Sequence, residues 1–218
     1  MMKHLNKIIT HRLLGKIKSY FFTFKFNKKS FNYLFSTYNG SWANERSVEI
    51  PVIWDKVKNY KASDVLEIGN VLSHYFPIKH KVVDKYEKDD EVENIDIVNF
   101  KSKKKYSLIV SISTLEHVGW DEKIKDPKKI KLAIKKLVGH LKVGGDLWVT
   151  LPLGYNPHLD KSLQNNELPF DKLLFLERVS LFGIWRQVSK KIINKKPKYN
   201  YPFPNANVIC IGIIKKNK

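Results

Sequence analysis

Cysteine is nearly absent from this sequence: the one present, Cys210, sits inside an apolar run. An internal disulfide is therefore excluded, and a reducing, cytoplasmic setting is the simplest expectation. Arginine is almost as scarce, with four (Arg12, Arg46, Arg178 and Arg186) among 40 basic residues. Lysine thus carries the net charge of +19, whereas a face shaped to grip phosphates would use more of arginine's planar fork. Most of that charge reads as solubilising surface, with part of it open to an anion-binding role. In residues 1–39, Lys16, Lys18 and Lys25 break every apolar run well short of the ~18 residues that span a bilayer. No small-residue cleavage site follows an apolar core there, as a signal peptide requires. Metal-ligand His/Cys spacing, a cysteine beside a base and a GxxxxGK phosphate loop are also missing. Metal, thiol and nucleotide-hydrolysis chemistries are set aside on that ground.

What is present is organised around Val65 to Asp84, VLEIGNVLSHYFPIKHKVVD. Val65, Leu66 and Ile68 form a short apolar run ending at Gly69, and Lys81 to Val83 begin a second that ends at Asp84. Both read as buried parallel strands. Glu67 closes the first strand and Asp84 the second. In a doubly wound fold these strand ends lie side by side at the carboxyl edge of the sheet. There a glycine admits a ligand and a carboxylate accepts hydrogen bonds from a ribose diol. That geometry suits a nucleoside-containing cofactor.

Residues 1–39 hold eight Lys or Arg and no acid. Leu5, Ile9, Leu13 and Ile17 recur at every fourth position, which predicts a basic amphipathic helix. It either covers the domain or lies on the anionic inner surface of a membrane. Asn39-Gly40-Ser41 is a turn signal, leaving residues 1–39 as an extension and 40–218 as the main domain. Pro51 suits the first turn of a helix whose apolar face is Val52, Ile53, Trp54 and Val57. Glu45, Arg46 and Glu49 have two readings, a surface salt-bridge set or Arg46 paired with a cofactor carboxylate. Asp96, bracketed by isoleucines, is either an acceptor for an adenine amino group or a turn acid. Tyr106 to Ile112 reads as a strand, followed by the polar loop STLEHVGW that opens with Ser113. Asp126-Pro127 starts a helix that Gly144-Gly145 ends, and Asp146 to Leu151 is the next strand. Asp171 to Val179 then reads as a helix, and Leu181 to Val188 and Val208 to Ile214 as strands.

Strands alternating with helices predict an α/β fold with a mostly parallel sheet and an antiparallel strand at its C-terminal edge. Over residues 40–216 the sequence resembles the class I S-adenosylmethionine-dependent methyltransferases. VLEIGN resembles the motif at the cofactor's methionine end, and VVDKYE the strand whose acid holds the ribose. Ile95-Asp96-Ile97 sits at the adenine contact. LIVSISTLEHV resembles the fourth strand and its loop, and LKVGGDLWVTLP the helix end and fifth strand. The resemblance implies a Rossmann-like, doubly wound fold with S-adenosyl-L-methionine as cofactor. Its candidate contacts are Arg46, Glu67, Gly69, Asn70, Ser73, Asp84, Asp96 and Ser113. The family usually carries glycines where Val71 and Ser73 stand here. Either Asn70 and Ser73 supply polar contacts in place of bare backbone, or the fold is degenerate and binds a partner without catalysis.

Transfer of a methyl group to a hydroxyl needs a base within hydrogen-bond reach. His117 and Glu116, after the fourth strand, are candidates, although this pair recurs in the family as a loop-shaping element; His158 is a rival. The resemblance extends to small enzymes of surface-polysaccharide or glycolipid assembly, so the expected acceptor is a sugar or a lipid-linked sugar. An anionic acceptor of that kind suits both the basic N-terminus and residues 186–200, which carry six bases and no acid. An RNA acceptor is the alternative, disfavoured by the scarcity of arginine.

Overall fold

The computed structural model describes residues 13–217. A helical segment, 13–21, leads into a hairpin of β1 (Thr23–Phe26) and β2 (Lys29–Asn32). Helix α1 (Arg46–Val57) precedes β3 (Val65–Ile68), β4 (Lys81–Asp84), β5 (Val92–Asn94) and β6 (Tyr106–Ile112). Helix α2 (Lys129–His140) leads into β7 (Leu141–Pro152), and α3 (Pro157–Gln164) precedes β8 (Lys172–Arg178), β9 (Trp185–Val188) and β10 (Val208–Lys215).

The main sheet has the order β5-β4-β3-β6-β7-β10-β8-β9. Pairings from β5 to β7 are parallel, while β10 is antiparallel to both β7 and β8, and β9 to β8. The fold is therefore α/β, mostly parallel, with antiparallel strands at one side. Strand order reverses between β3 and β6, the topological switch where open α/β sheets bind ligands. Alternation along the strands covers both faces. Leu66, Ile68 and Ile109 pack under α2 and α3, whereas Val65, Leu108 and Val110 pack under α1 and the hairpin.

Several boundaries differ from the sequence reading. Leu5, Ile8, Ile9 and Arg12 lie outside the described residues, and the described helix ends by Phe22. The hairpin behind it is part of the core, with Phe24, Phe26 and Tyr33 buried. Pro51 lies inside α1, not in its first turn. A proline there strips the carbonyl four residues back of its partner, but the Leu34 amide donates to the Ser47 carbonyl at 2.9 Å and replaces it. Helix α2 ends at His140, before the glycine pair. Gly144 and Gly145 instead exchange backbone bonds with Lys216, at 2.7 and 2.9 Å, inside β7. The segment expected as a helix, Asp171 to Val179, contains strand β8, because β10 and β9 flank it and tertiary pairing overrides its leucine-rich pattern. The last strand, β10, is inserted between β7 and β8.

Candidate active site

A cavity of about 350 Å³ opens at the carboxyl ends of β3, β4 and β6. Ile68, Val83, Ile95, Ile97 and Val118 wall it, and Gly69, Asp84, Asp96, Ser113 and His117 also line it. Its size and apolar walls with a few convergent polar groups are those of a small-ligand site.

Gly69 has φ +86°, and a β-carbon there would lie 2.2 Å from the Thr114 hydroxyl. The glycine is thus required by Thr114 across the strand ends as much as by any ligand. Asp84 anchors the loop rim: one carboxyl oxygen accepts from the amides of Tyr86 (2.7 Å) and Glu87 (2.8 Å), the other from the Asn70 amide (3.0 Å). A carboxylate has about four lone-pair sites, so capacity remains for a ligand hydroxyl. Glu87, which the sequence reading missed, lines the same cavity. Its spacing three residues after Asp84 on the strand-end turn is the signal that points to it.

Four expected cofactor contacts, Glu67, Asn70, Ser73 and Arg46, stand elsewhere. Glu67 is fully buried, accepts from the amides of Val71 (3.0 Å) and Leu72 (2.8 Å), and meets His80 Nε2 at 2.7 Å. It braces the turn after β3 from below. Ser73 donates to Asn70 Oδ1 at 2.6 Å, and the Asn70 amide group donates to Glu87 Oε1 at 2.9 Å. Both line a separate, smaller cleft and reach the cavity only through Asp84 and Glu87. Val71 packs into the core on the α1 side, so neither residue standing for a family glycine fills the cavity.

Asp96 lines the cavity, but Lys129 and Lys85 hold its carboxylate at 2.7 and 2.9 Å. Glu122 binds the same two lysines. Burial works to raise the Asp96 pKa, but the lysines prevail and lower it. Ser113 is held at φ +40° by a bond from its amide to Thr150 Oγ1 (3.0 Å) and from its hydroxyl to Glu49 Oε1. Such backbone strain persists where the surroundings over-determine it.

The Arg46–Glu49 pair exists, at 3.1 Å, but it is internal: Glu49 is fully buried and Arg46 also donates to the Ile112 carbonyl at 3.0 Å. Burial opposes the Arg46 charge, but Glu49, Glu45 and Glu116 more than offset it and raise its pKa. Glu116 faces inward and burial pushes its pKa well up; its Oε2 has no hydrogen-bond partner. Neither Arg46 nor Glu116 lines the cavity.

His117 does line it. Its Nδ1 meets Asp121 Oδ2 at 2.5 Å, and the Tyr155 hydroxyl donates to that same oxygen. Asp121, also at the cavity, was missed in the sequence although it falls four residues after His117. Burial, then Asp121, raise the Tyr155 pKa. His158 is not part of this group: it sits on α3 against Trp120, beside a different groove.

The donor set fits a nucleoside. Apolar walls suit a flat base, and the Asp84–Glu87 edge suits a diol. No family model and no curated protein matches the sequence. Solved structures do overlap it. The N-methyltransferase NodS from Bradyrhizobium japonicum WM9, in complex with S-adenosyl-L-homocysteine, is 13% identical, covering 80% of this chain and 88% of that one, at a TM-score of 0.49. An S-adenosylmethionine-dependent methyltransferase from Clostridium acetobutylicum is 15% identical over 77% and 89%, at 0.40. One from Archaeoglobus fulgidus is 16% identical over 78% and 96%, at 0.45. Identities this low carry no chemistry across, which has to come from the cleft's own residues.

Proposed function

We propose that the protein is an S-adenosylmethionine-dependent methyltransferase acting on a hydroxyl of a sugar or lipid-linked sugar. The observation that carries this reading is the cavity at the topological switch, apolar on its walls and edged by Asp84 and Glu87. Asp84 and Glu87 are suited to accept from a ribose diol, and Ile68, Val83, Ile95 and Ile97 to enclose an adenine. When bound, the cofactor supplies an electrophilic methyl group and leaves as a neutral thioether.

The chain's part is alignment and proton removal. Positioning alone is worth about 7–11 kcal/mol in well-oriented reactions. Asp121 fixes His117 through Nδ1; Nε2, which lies 3.5 Å from Oε1 of the buried Glu116, is the ring nitrogen that would take the proton of an acceptor hydroxyl. Tyr155, bonded to the same Asp121 oxygen and in edge contact with the His117 ring at 4.8 Å, limits the ring's rotation. The acceptor class rests on charge: residues 186–200 carry six bases and no acid, which favours an anionic sugar.

Titration calorimetry with S-adenosylhomocysteine tests the cofactor reading, and micromolar binding is expected. Incorporation of labelled methyl from S-adenosylmethionine into a lipid-linked sugar fraction tests the acceptor. His117→Gln should retain S-adenosylhomocysteine binding and lose about 100-fold or more in transfer. No heat at millimolar ligand would leave a non-catalytic scaffold.

A further inference from the structure

The helical segment 13–21 is packed the wrong way round for a helix that serves only its own domain. Its buried residues are Gly15 and Lys18. A β-carbon on Gly15 would lie 2.7 Å from the Trp42 ring, so the helix backbone rests directly on that ring. Lys18 Nζ donates to the carbonyls of Trp42 (2.6 Å) and Gly183 (3.3 Å), and lies 4.7 Å from the centre of the Tyr33 ring. Meanwhile Leu13, Leu14, Ile17, Tyr20, Phe21 and Phe22 are exposed, Tyr20 at 82% and Phe21 at 79%.

Through Lys18 the helix is clipped to the turn 179–183, and that turn is apolar and exposed as well, with Leu181 at 60% and Phe182 at 58%. Two separate parts of the chain therefore present large apolar side chains on one surface. Singly exposed apolar residues need no explanation, but a contiguous group marks an interaction site. The turn follows β8, which runs parallel to β7 because both are antiparallel to β10. It thus lies at the same carboxyl edge of the sheet as the cavity.

The charge around the patch selects its occupant. Residues 13–39 contain no acid and 179–183 no charge; of the five lysines in 13–39, Lys18 is buried in the clip and Lys29 pairs with Asp55 at 2.7 Å, which leaves Lys16, Lys25 and Lys28 exposed. Lysines beside exposed aromatic and aliphatic side chains suit the boundary between anionic headgroups and acyl chains. No helix among the described residues is long and apolar enough to cross a membrane. We propose that the helix 13–21 and the turn 179–183, joined by Lys18, form a composite surface that seats the protein on an anionic bilayer with the cavity's edge of the sheet facing the lipid. This stands on the patch and not on the cofactor reading.

The full chain should co-sediment with vesicles of phosphatidylglycerol and phosphatidylcholine, and far less with phosphatidylcholine alone. Phe21→Asp, and separately Leu181→Ser with Phe182→Ser, should each lower the partition coefficient about tenfold or more. Val143→Ser, at an exposed apolar residue on the opposite sheet edge, should leave it unchanged; circular dichroism checks that each variant folds. Absence of binding to anionic vesicles, or binding untouched by both patch variants, overturns the proposal. A dimer in light scattering that Phe21→Asp dissolves would give the surface to a second copy and overturn it too.

Discussion

Gly69 and Thr114 close on each other across the ends of adjacent strands, leaving 2.2 Å between the Thr114 hydroxyl and the place a β-carbon on residue 69 would take. The φ of +86° at Gly69 adds to the constraint. Gly69→Ala should therefore cost about 2–4 kcal/mol, from strain and overpacking together. Adding Thr114→Ala should restore the overpacking share and leave the strain. Urea unfolding of the two variants measures the difference, and equal losses in both would show that strain alone matters.

Asp84 has two tasks, and they separate. Its oxygens accept three backbone amides, so Asp84→Asn should lower stability by about 1–2 kcal/mol. The same change should weaken S-adenosylhomocysteine binding by about tenfold or more, since a bond to a charged acceptor is the stronger kind. Unfolding and calorimetry on one preparation report both. Unchanged affinity would remove Asp84 from ligand binding.

Asp160 is half-buried under the loop after β7, where its Oδ2 accepts from the Gly154 amide at 2.8 Å and its buried Oδ1 has no partner. Burial pushes its pKa up to about 6 from an ordinary 3.8. An acid raised on folding binds its proton more tightly in the native state. Native stability is thus complete below pH 4 and falls as pH rises from about 4 to about 6, by about 1–3 kcal/mol. Asp160→Asn keeps an acceptor for Gly154 and should remove that decline, making the variant the more stable at pH 7. Denaturation at pH 4.5 and pH 7 checks the sign.

Pro51 should be unusually neutral. An interior proline costs a helix about 3 kcal/mol, yet the Ser47 carbonyl it would orphan is already bonded to Leu34. Pro51→Ala is expected to shift stability by no more than about 1 kcal/mol. A gain near the full 3 kcal/mol would mean that the Leu34 bond does not compensate.

The sequence was legible where burial on both faces left an unbroken apolar run with a punctuating residue after it. Tyr106–Ile112 and Val65–Ile68 were readable for that reason. β8 was not: its run of leucines and phenylalanine has no period of two, because both its faces are covered, and the flanking charges imitate a helix. The same limit applies at the site. An acid at a strand end looks alike whether it faces a ligand, as Asp84 does, or turns beneath the loop to take amides, as Glu67 does. Asp121 and Glu87 were passed over because each is one more acid on a loop until the fold turns it to the cavity.

The position of β10 sets a condition on how the chain is made. It is built after β7, β8 and β9, yet it lies between β7 and β8 and hydrogen-bonds to both. Until its residues emerge, a slot one strand wide must stay open, with a row of bare amides and carbonyls on each side. Strands left in that state are templates for other chains. Synthesis that stalls before residue 208 is thus expected to yield a sticky intermediate that chaperones must shield, not a smaller version of the finished protein.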